Sequence, residues 1–188
     1  MKRFIAIILS AMMILTVCAY AETAQETQSA AGSEFNFRGG ITWGMTPDEV
    51  RAIETGEEKS FREDGDVTAL MYGYTDFSKY TADYLLYVFV NNELKEAVYI
   101  ITTNPADSQY DYLSGALTQL YGEASEISNE QLNAEMSFYS GFDGSKITKA
   151  NAWDTDSALV RITYDSEIDV SYMDPDFSFA AEYNTSGL

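Results

Sequence analysis

The sequence predicts an α+β domain in which helices pack on one face of an antiparallel sheet. Two helix starts, each with a proline at or near the first turn, occur at Thr46-Pro47 and at Asn104-Pro105. Runs rich in β-branched and aromatic residues follow each start and are bounded by turn-forming residues. Runs of strands beside separate helices are typical of α+β proteins. The order of elements suggests two helix-plus-meander units; chance repetition is the alternative, because the halves share few identical side chains.

Residues 1–21 have the pattern of a secretory signal peptide. Two basic residues precede an apolar run, and small residues flank Tyr20 as a cleavage site requires. Cys18 keeps a lipoprotein open as the alternative, but Val17 before it is larger than a lipoprotein cleavage site favours. We therefore predict cleavage after Ala21 and a protein that is secreted or associated with the cell envelope, without a membrane span.

The rest of the chain has the length of about one domain. Residues 22–34 lack large apolar side chains and predict a flexible leader. Residues 35–174 are predicted to form a single domain. Residues 175–188 are predicted to be a tail, in which Phe177 and Phe179 are candidates for packing.

The first unit is predicted to begin with a short strand, because aromatic and apolar residues alternate near positions 35–43. Thr46 is a favourable N-cap, Glu49 completes a capping box with it, and Pro47 occupies the first helical position. The helix is predicted to reach Thr55 before Gly56. The remaining predictions are a charged loop at 57–65, a polar connection at 75–83, an Asn91-Asn92 turn, and strands at 67–74, 84–90 and 94–102. Both faces of the 84–102 hairpin are apolar or aromatic, so both are expected to be at least partly covered.

The second unit is predicted to begin with an amphipathic helix. Apolar residues recur at 3–4 spacing from Tyr110 to Tyr121, and Gly122 ends the pattern. A loop or a short helical piece is predicted at 123–134. Strands are predicted around Met136 and Phe138, and at 147–153, 158–164 and from 168 onward.

The composition is strongly acidic, with 30 acidic residues, 11 basic residues and a formal net charge of −19. Such a charge repels nucleic acids and anionic membranes, so neither is predicted as a partner. It is compatible with cations and basic partners. An acidic surface that is simply solvated is the alternative interpretation.

The chain has no histidine, and Cys18 is its single cysteine. Ser-His-Asp and Cys-His catalysis, histidine zinc sites and thiolate chemistry are thereby excluded from the predicted mature chain. We predict no catalytic residue, no cofactor and no metal site. The paired aspartates at 154/156 and 174/176 could provide calcium ligands, but neither pair fits an EF-hand loop, and aspartate is a common turn residue. A carboxylate-dependent hydrolase of envelope or extracellular glycans is the alternative to a non-enzymatic protein.

Tyrosines on the predicted strands are the candidate binding residues. Tyr84 and Tyr99 are expected to pair across the hairpin, with Tyr72 and Tyr87 nearby. If helices cover one face of the sheet, these rings line the other and form a surface that recognises a protein or an envelope polymer. The alternative is that the tyrosines pack in the core with their hydroxyls at its rim.

Gly44-Met45-Thr46 with Glu49-Val50 resembles the helix start of small exported domains of the SmpA/OmlA (BamE-like) type. The repeated helix-plus-sheet order resembles β-lactamase inhibitory proteins. Leu120-Tyr121-Gly122 at a helix end and a strand around Trp153 are similar to other secreted bacterial proteins. The specific match covers about residues 35–54 and 117–123, and the rest of the resemblance is the order of elements alone. The resemblance implies a non-catalytic binding or assembly module; no family binding residue maps onto this chain.

Overall fold

The computed structural model describes residues 35–135 and 144–177. An eight-stranded antiparallel sheet dominates these residues and is accompanied by a few helices, so the prediction of a mixed α and β fold is confirmed. The predicted signal peptide (1–21), the leader (22–34), the strand around Met136 and Phe138, and the tail beyond 177 lie outside the described residues. Within the described ranges, no helix is long and apolar enough to span a membrane.

The helices are α1 (Pro47–Ile53), α2 (Asp107–Tyr121) and α3 (Asn129–Glu135), and short 3-10 turns occur at Arg38–Gly40 and Gly144–Lys146. The strands are β1 (Glu58–Asp64), β2 (Val67–Phe77), β3 (Tyr80–Val90), β4 (Glu93–Ile101), β5 (Ser125–Glu126), β6 (Lys149–Asp154), β7 (Leu159–Tyr164) and β8 (Ile168–Met173). Their order across the sheet is β1-β2-β3-β4-β8-β7-β6-β5.

The two halves of the chain meet at the centre of the sheet. There β4 pairs with β8 in antiparallel fashion, from Glu96 opposite Met173 to Ile101 opposite Ile168. The other neighbouring strands of the described sheet follow one another in the sequence. Because β4 begins where β8 ends, the β3–β4 turn, the β6–β7 turn and the chain after β8 all reach the same end of the sheet.

The main hydrophobic core lies against one face of the sheet. Leu85 and Tyr87 from β3 join Tyr99 from β4 in a buried cluster that also contains Val50 of α1 and Leu113 of α2. We call this side the core face. Successive strand residues point to opposite sides of a sheet, so the neighbours of these residues occupy the opposite face.

A smaller buried cluster lies on the opposite face. It consists of Val67, Val88 and Val90, and Phe177 packs against it. Phe177, predicted as a candidate for packing from the tail, therefore contacts the fold. The prediction that both faces of the β3–β4 hairpin are at least partly covered is confirmed.

The local signals at α1 and at the hairpin turn predict the structure well. The Thr46 N–H donates to Glu49 Oε2 (2.8 Å) and the Glu49 N–H donates to Thr46 Oγ1 (3.4 Å), which closes the capping box. Asn91 and Asn92 take positive φ angles of 51° and 67° in the β3–β4 turn. At α2 the start is displaced: Ala106 is the N-cap residue, and its N–H donates to Gln109 Oε1 (3.0 Å).

Three element predictions are wrong. The loop predicted at 57–65 contains β1, whose seven residues are all exposed and therefore show no apolar alternation. The polar connection predicted at 75–83 does not exist, because β2 and β3 continue past the core to a tight turn between Phe77 and Tyr80. The strand predicted near 35–43 is replaced by the Arg38–Gly40 turn, where Gly39 and Gly40 have positive φ and reverse the chain direction.

Candidate functional site

The four predicted tyrosines do not share one exposed surface. Tyr72, Tyr87 and Tyr99 are buried in the main core at 3%, 0% and 3% exposure, whereas Tyr84 is 38% exposed. The register places Tyr84 opposite Ile100 and Tyr99 opposite Leu85, so the predicted pairing of Tyr84 with Tyr99 is wrong. The two rings lie on opposite faces of the sheet, and the three buried tyrosines match the alternative interpretation.

The buried tyrosines help to fasten the segments on both sides of α1 to the sheet. The Tyr87 hydroxyl donates to Glu54 Oε1, and Arg38 Nε lies 3.2 Å from the same oxygen. Burial, together with the negative charge of Glu54, raises the pKa of the Tyr87 phenol well above its usual value. Phe37 packs against Tyr87 and Tyr99 with ring centroids 6.0 and 5.4 Å away. These contacts place Tyr87 and Tyr99 in the main core.

Tyr84 lies on the opposite face among half-buried apolar residues. On β4, Ile100 lies directly opposite Tyr84. Leu86 is on the same side of β3 as Tyr84, and Met71 of β2 lies directly opposite Leu86. This strip offers partly exposed apolar area and one accessible phenol. Tyr84 is accordingly the predicted site residue that a partner can reach.

A cleft of about 370 Å³ lies at the end of the sheet where β4 begins and β8 ends. Its volume is within the usual range of small-ligand pockets. Four separate segments of the chain meet there. Its lining residues are Phe35, Trp43, Gly44, Lys95, Asp156, Ser157, Asp174, Pro175 and Asp176.

One wall of the cleft is a fixed aromatic pair. The rings of Phe35 and Trp43 stack with centroids 4.0 Å apart and planes 4° from parallel. The indole N–H of Trp43 donates to the backbone oxygen of Ser157 at 2.8 Å, which sets the orientation of the ring. Phe35 is buried, while Trp43 is half-buried and keeps part of its surface accessible.

The other wall is charged. Lys95 Nζ lies 3.1 Å from Asp174 Oδ2 and 3.0 Å from Glu93 Oε2. Burial acts to lower the pKa of Lys95, but the hydrogen bonds to Glu93 and Asp174 outweigh it and raise that pKa. The Asp176 N–H donates to Asp174 Oδ1 at 3.0 Å, which fixes the turn after β8.

The cleft carries more negative than positive charge. In the described part of the chain, no basic side chain forms an ion pair with Asp156 or Asp176, and both residues are exposed. Lys95 is already shared between two carboxylates. The arrangement therefore favours a ligand that brings positive charge.

Three of the four aspartates considered as calcium ligands, Asp156, Asp174 and Asp176, line this cleft, and two of the four are already engaged in ion pairs. Asp154 pairs with Arg161 at 2.6 Å, and Asp174 pairs with Lys95. Among residues 35–135 and 144–177, no group of three or more acids has an arrangement suited to a metal ion. What remains is an acidic cleft with an aromatic wall.

The sequence does not predict the cleft, although several of its residues stand out separately. The sequence predicts a strand for Phe35 and Trp43 and turns for the aspartates. Comparison with protein-family models, with curated proteins and with solved structures found no match for this chain. Function is therefore inferred from the chemistry of the site.

Proposed function

We propose that the chain is a non-catalytic binding or assembly module that acts outside the cytoplasm and recognises a protein or an envelope polymer. The cleft carries this proposal, because its stacked Phe35–Trp43 pair stands beside the unpaired carboxylates of Asp156 and Asp176. Rigid aromatic rings contribute contact area at low entropic cost. The signal-peptide pattern supports the location, and the resemblance to exported assembly and inhibitory modules supports the role.

We also propose that α1 and α2 cover the same face of the sheet. The buried residues of both helices, Val50 in α1 and Leu113 in α2, belong to one cluster with the core-face residues of the strands. No residue of either helix lines the cleft. The helices would then stabilise the sheet and leave its end accessible to a partner.

A carboxylate-dependent hydrolase of glycans is the second candidate, and it is favoured by the presence of three aspartates in one cleft. Glycoside hydrolysis needs one carboxylic acid as proton donor and a second carboxylate as nucleophile or base. Asp174 is paired with Lys95, which leaves Asp156 and Asp176 as the pair that such a mechanism would use.

A pull-down from the producing cell tests the binding proposal. The cleft variant carries Asp156→Asn and Asp176→Asn, and a control variant carries Asp66→Asn and Asp76→Asn, two exposed aspartates on and beside β2. We expect wild type and control to recover the same partner and the cleft variant to recover at least fivefold less. Equal recovery by all three proteins would contradict the role of the cleft. Glycan hydrolysis that is lost only in the cleft variant would favour the hydrolase.

A further inference from the structure

We infer that the cleft receives a basic side chain, an arginine or a lysine, that is presented by a protein partner. This inference rests on the proposed binding function and specifies the chemistry of the partner. It depends on three features that coincide in the cleft: unpaired carboxylates, an oriented indole ring and a suitable volume.

The carboxylates supply the charge complementarity. Asp156, from the β6–β7 turn, and Asp176, after β8, approach the cleft from two different segments. Neither is neutralised by a basic side chain of the described residues, and Lys95 is occupied by Asp174 and Glu93. A cation that enters the cleft therefore meets carboxylates that have no competing partner there.

The indole supplies a second contact for the same cation. A positive group within about 6 Å of a ring centroid is attracted to the ring face, and tryptophan is the strongest such partner among the side chains. Phe35 supports one face of the Trp43 ring, and the hydrogen bond to Ser157 prevents the ring from turning. The binding surface is therefore set before the ligand arrives, which lowers the entropic cost of binding.

The geometry favours arginine over lysine. A guanidinium group is planar, so it can stack on an indole and donate two hydrogen bonds to a carboxylate at the same time. Its aliphatic stem can pack along apolar surface, and the partly exposed Pro175 in the lining of the cleft provides such surface. The net charge of −19 on the whole chain would also attract a basic partner from a distance.

The two tryptophans provide a direct test. In ¹⁵N NMR spectra of the purified protein, the indole N–H of Trp43 reports on the cleft. The indole N–H of Trp153 is an internal control, because it donates to the Gly122 carbonyl at 3.1 Å from a residue that is only 3% exposed. The probe is N-acetyl-arginine amide, and its neutral counterpart is N-acetyl-citrulline amide.

We expect the arginine probe to shift the Trp43 signal in a saturable way while the Trp153 signal stays in place. A single side chain has few atoms, so the dissociation constant should be on the order of 1 mM. The citrulline probe should bind at least tenfold more weakly. The Asp156→Asn/Asp176→Asn variant should lose at least tenfold in affinity for the arginine probe, whereas the Asp66→Asn/Asp76→Asn control should bind like the wild type.

Equal binding of the two probes, or no shift of Trp43 by the arginine probe, would overturn the inference. This failure can be separated from failure of the proposed function. If the pull-down partner still depends on the cleft while the arginine probe has no effect, the cleft binds a different chemistry. If partner recovery does not depend on the cleft, the proposed function itself is wrong.

Discussion

Asp83 on β3 accepts two hydrogen bonds from Thr103, one from its N–H to Oδ2 and one from its hydroxyl to Oδ1, both at 2.7 Å. Thr102 adds its own N–H at 2.7 Å and its hydroxyl at 3.1 Å. Burial acts to raise the pKa of Asp83, but the hydrogen bonds from Thr103 and Thr102 outweigh it and lower that pKa below its usual value. One carboxylate thus holds the chain between β4 and α2 against the neighbouring strand.

Replacing this carboxylate by an amide (Asp83→Asn) is expected to lower the free energy of unfolding by about 2 kcal/mol at pH 7, because hydrogen bonds to a charged acceptor are lost. The folded-state pKa of Asp83 is lowered, so its contribution is present at neutral pH and disappears as the pH falls through that pKa, below about pH 4. Urea unfolding at pH 7 and pH 3 measures both values. The exposed control Asp76→Asn should change stability by less than about 0.5 kcal/mol. A difference that stays equally large at pH 3 would contradict this explanation.

Removal of a tyrosine hydroxyl is expected to lower the free energy of unfolding more at the buried Tyr87 than at the partly exposed Tyr84. Tyr87→Phe deletes the donor to the buried carboxylate of Glu54 and should lower the free energy of unfolding by about 1–3 kcal/mol. Tyr84→Phe removes a hydroxyl from a partly exposed ring and should change it by less than about 0.5 kcal/mol. Chemical denaturation at pH 7 provides the comparison. Similar losses from both variants would show that the Glu54 contact does not matter.

Asp169 on β8 is expected to destabilise the fold at neutral pH. Its Oδ1 is enclosed and has no hydrogen-bond partner among the described residues. Burial, followed by the negative charges of Glu167, Asp165 and Glu96, raises its pKa well above the usual value. The folded state therefore binds this proton more tightly than the unfolded state, and stability should increase as the pH falls from the folded-state pKa towards the unfolded value of about 3.9.

The variant Asp169→Asn should accordingly melt at a higher temperature than wild type at pH 7. The difference in melting temperature between variant and wild type should shrink as the pH is lowered. It should be gone below about pH 4, where the Asp169 carboxyl of the wild type is protonated in both the folded and the unfolded state. Thermal melts recorded from pH 4 to pH 8 provide the profile. A lower melting temperature of the variant at pH 7 would mean that the ionised carboxylate is needed.

The N-cap of α1 gives a prediction about local structure. Thr46→Ala removes the hydroxyl that accepts from the Glu49 N–H and should cost about 1 kcal/mol. Thr46→Ser keeps an equivalent acceptor and should retain most of the wild-type stability. Denaturation of both variants at pH 7 tests the capping box. A loss in the serine variant as large as in the alanine variant would point to the methyl group and not to the cap.

Predictions from the sequence are correct where the signal is local. They fail where the outcome depends on which face of the sheet a strand residue occupies. Thr46 and Glu49 determine a helix start within four residues, and Asn91-Asn92 determines a turn by tolerating positive φ. In β3 both faces carry apolar or aromatic residues, so alternation could not show that Tyr87 is buried and Tyr84 accessible. The fully exposed β1 had no apolar pattern to detect.

The cleft could not be predicted because no local pattern encodes it. Trp43, Lys95, Asp156 and Asp176 come from four segments that the pairing of β4 with β8 brings to one end of the sheet. Single-sequence patterns indicate which residues form strands, but they do not say which strands of two separate meanders become neighbours. The aspartates could therefore be recognised as turn residues and not as parts of one site.

The joining of the two meanders through β4 and β8 also has a kinetic consequence. The pairings within each meander connect neighbouring hairpin strands and can form early. The pairing of β4 with β8, which places Ile101 opposite Ile168, can form only after the second meander is ordered. Until then β4 is an open edge whose free N–H and C=O groups can pair with any extended segment nearby. A folding chain is therefore most prone to self-association before its last strand docks, and loss of β8 would make that vulnerable state permanent.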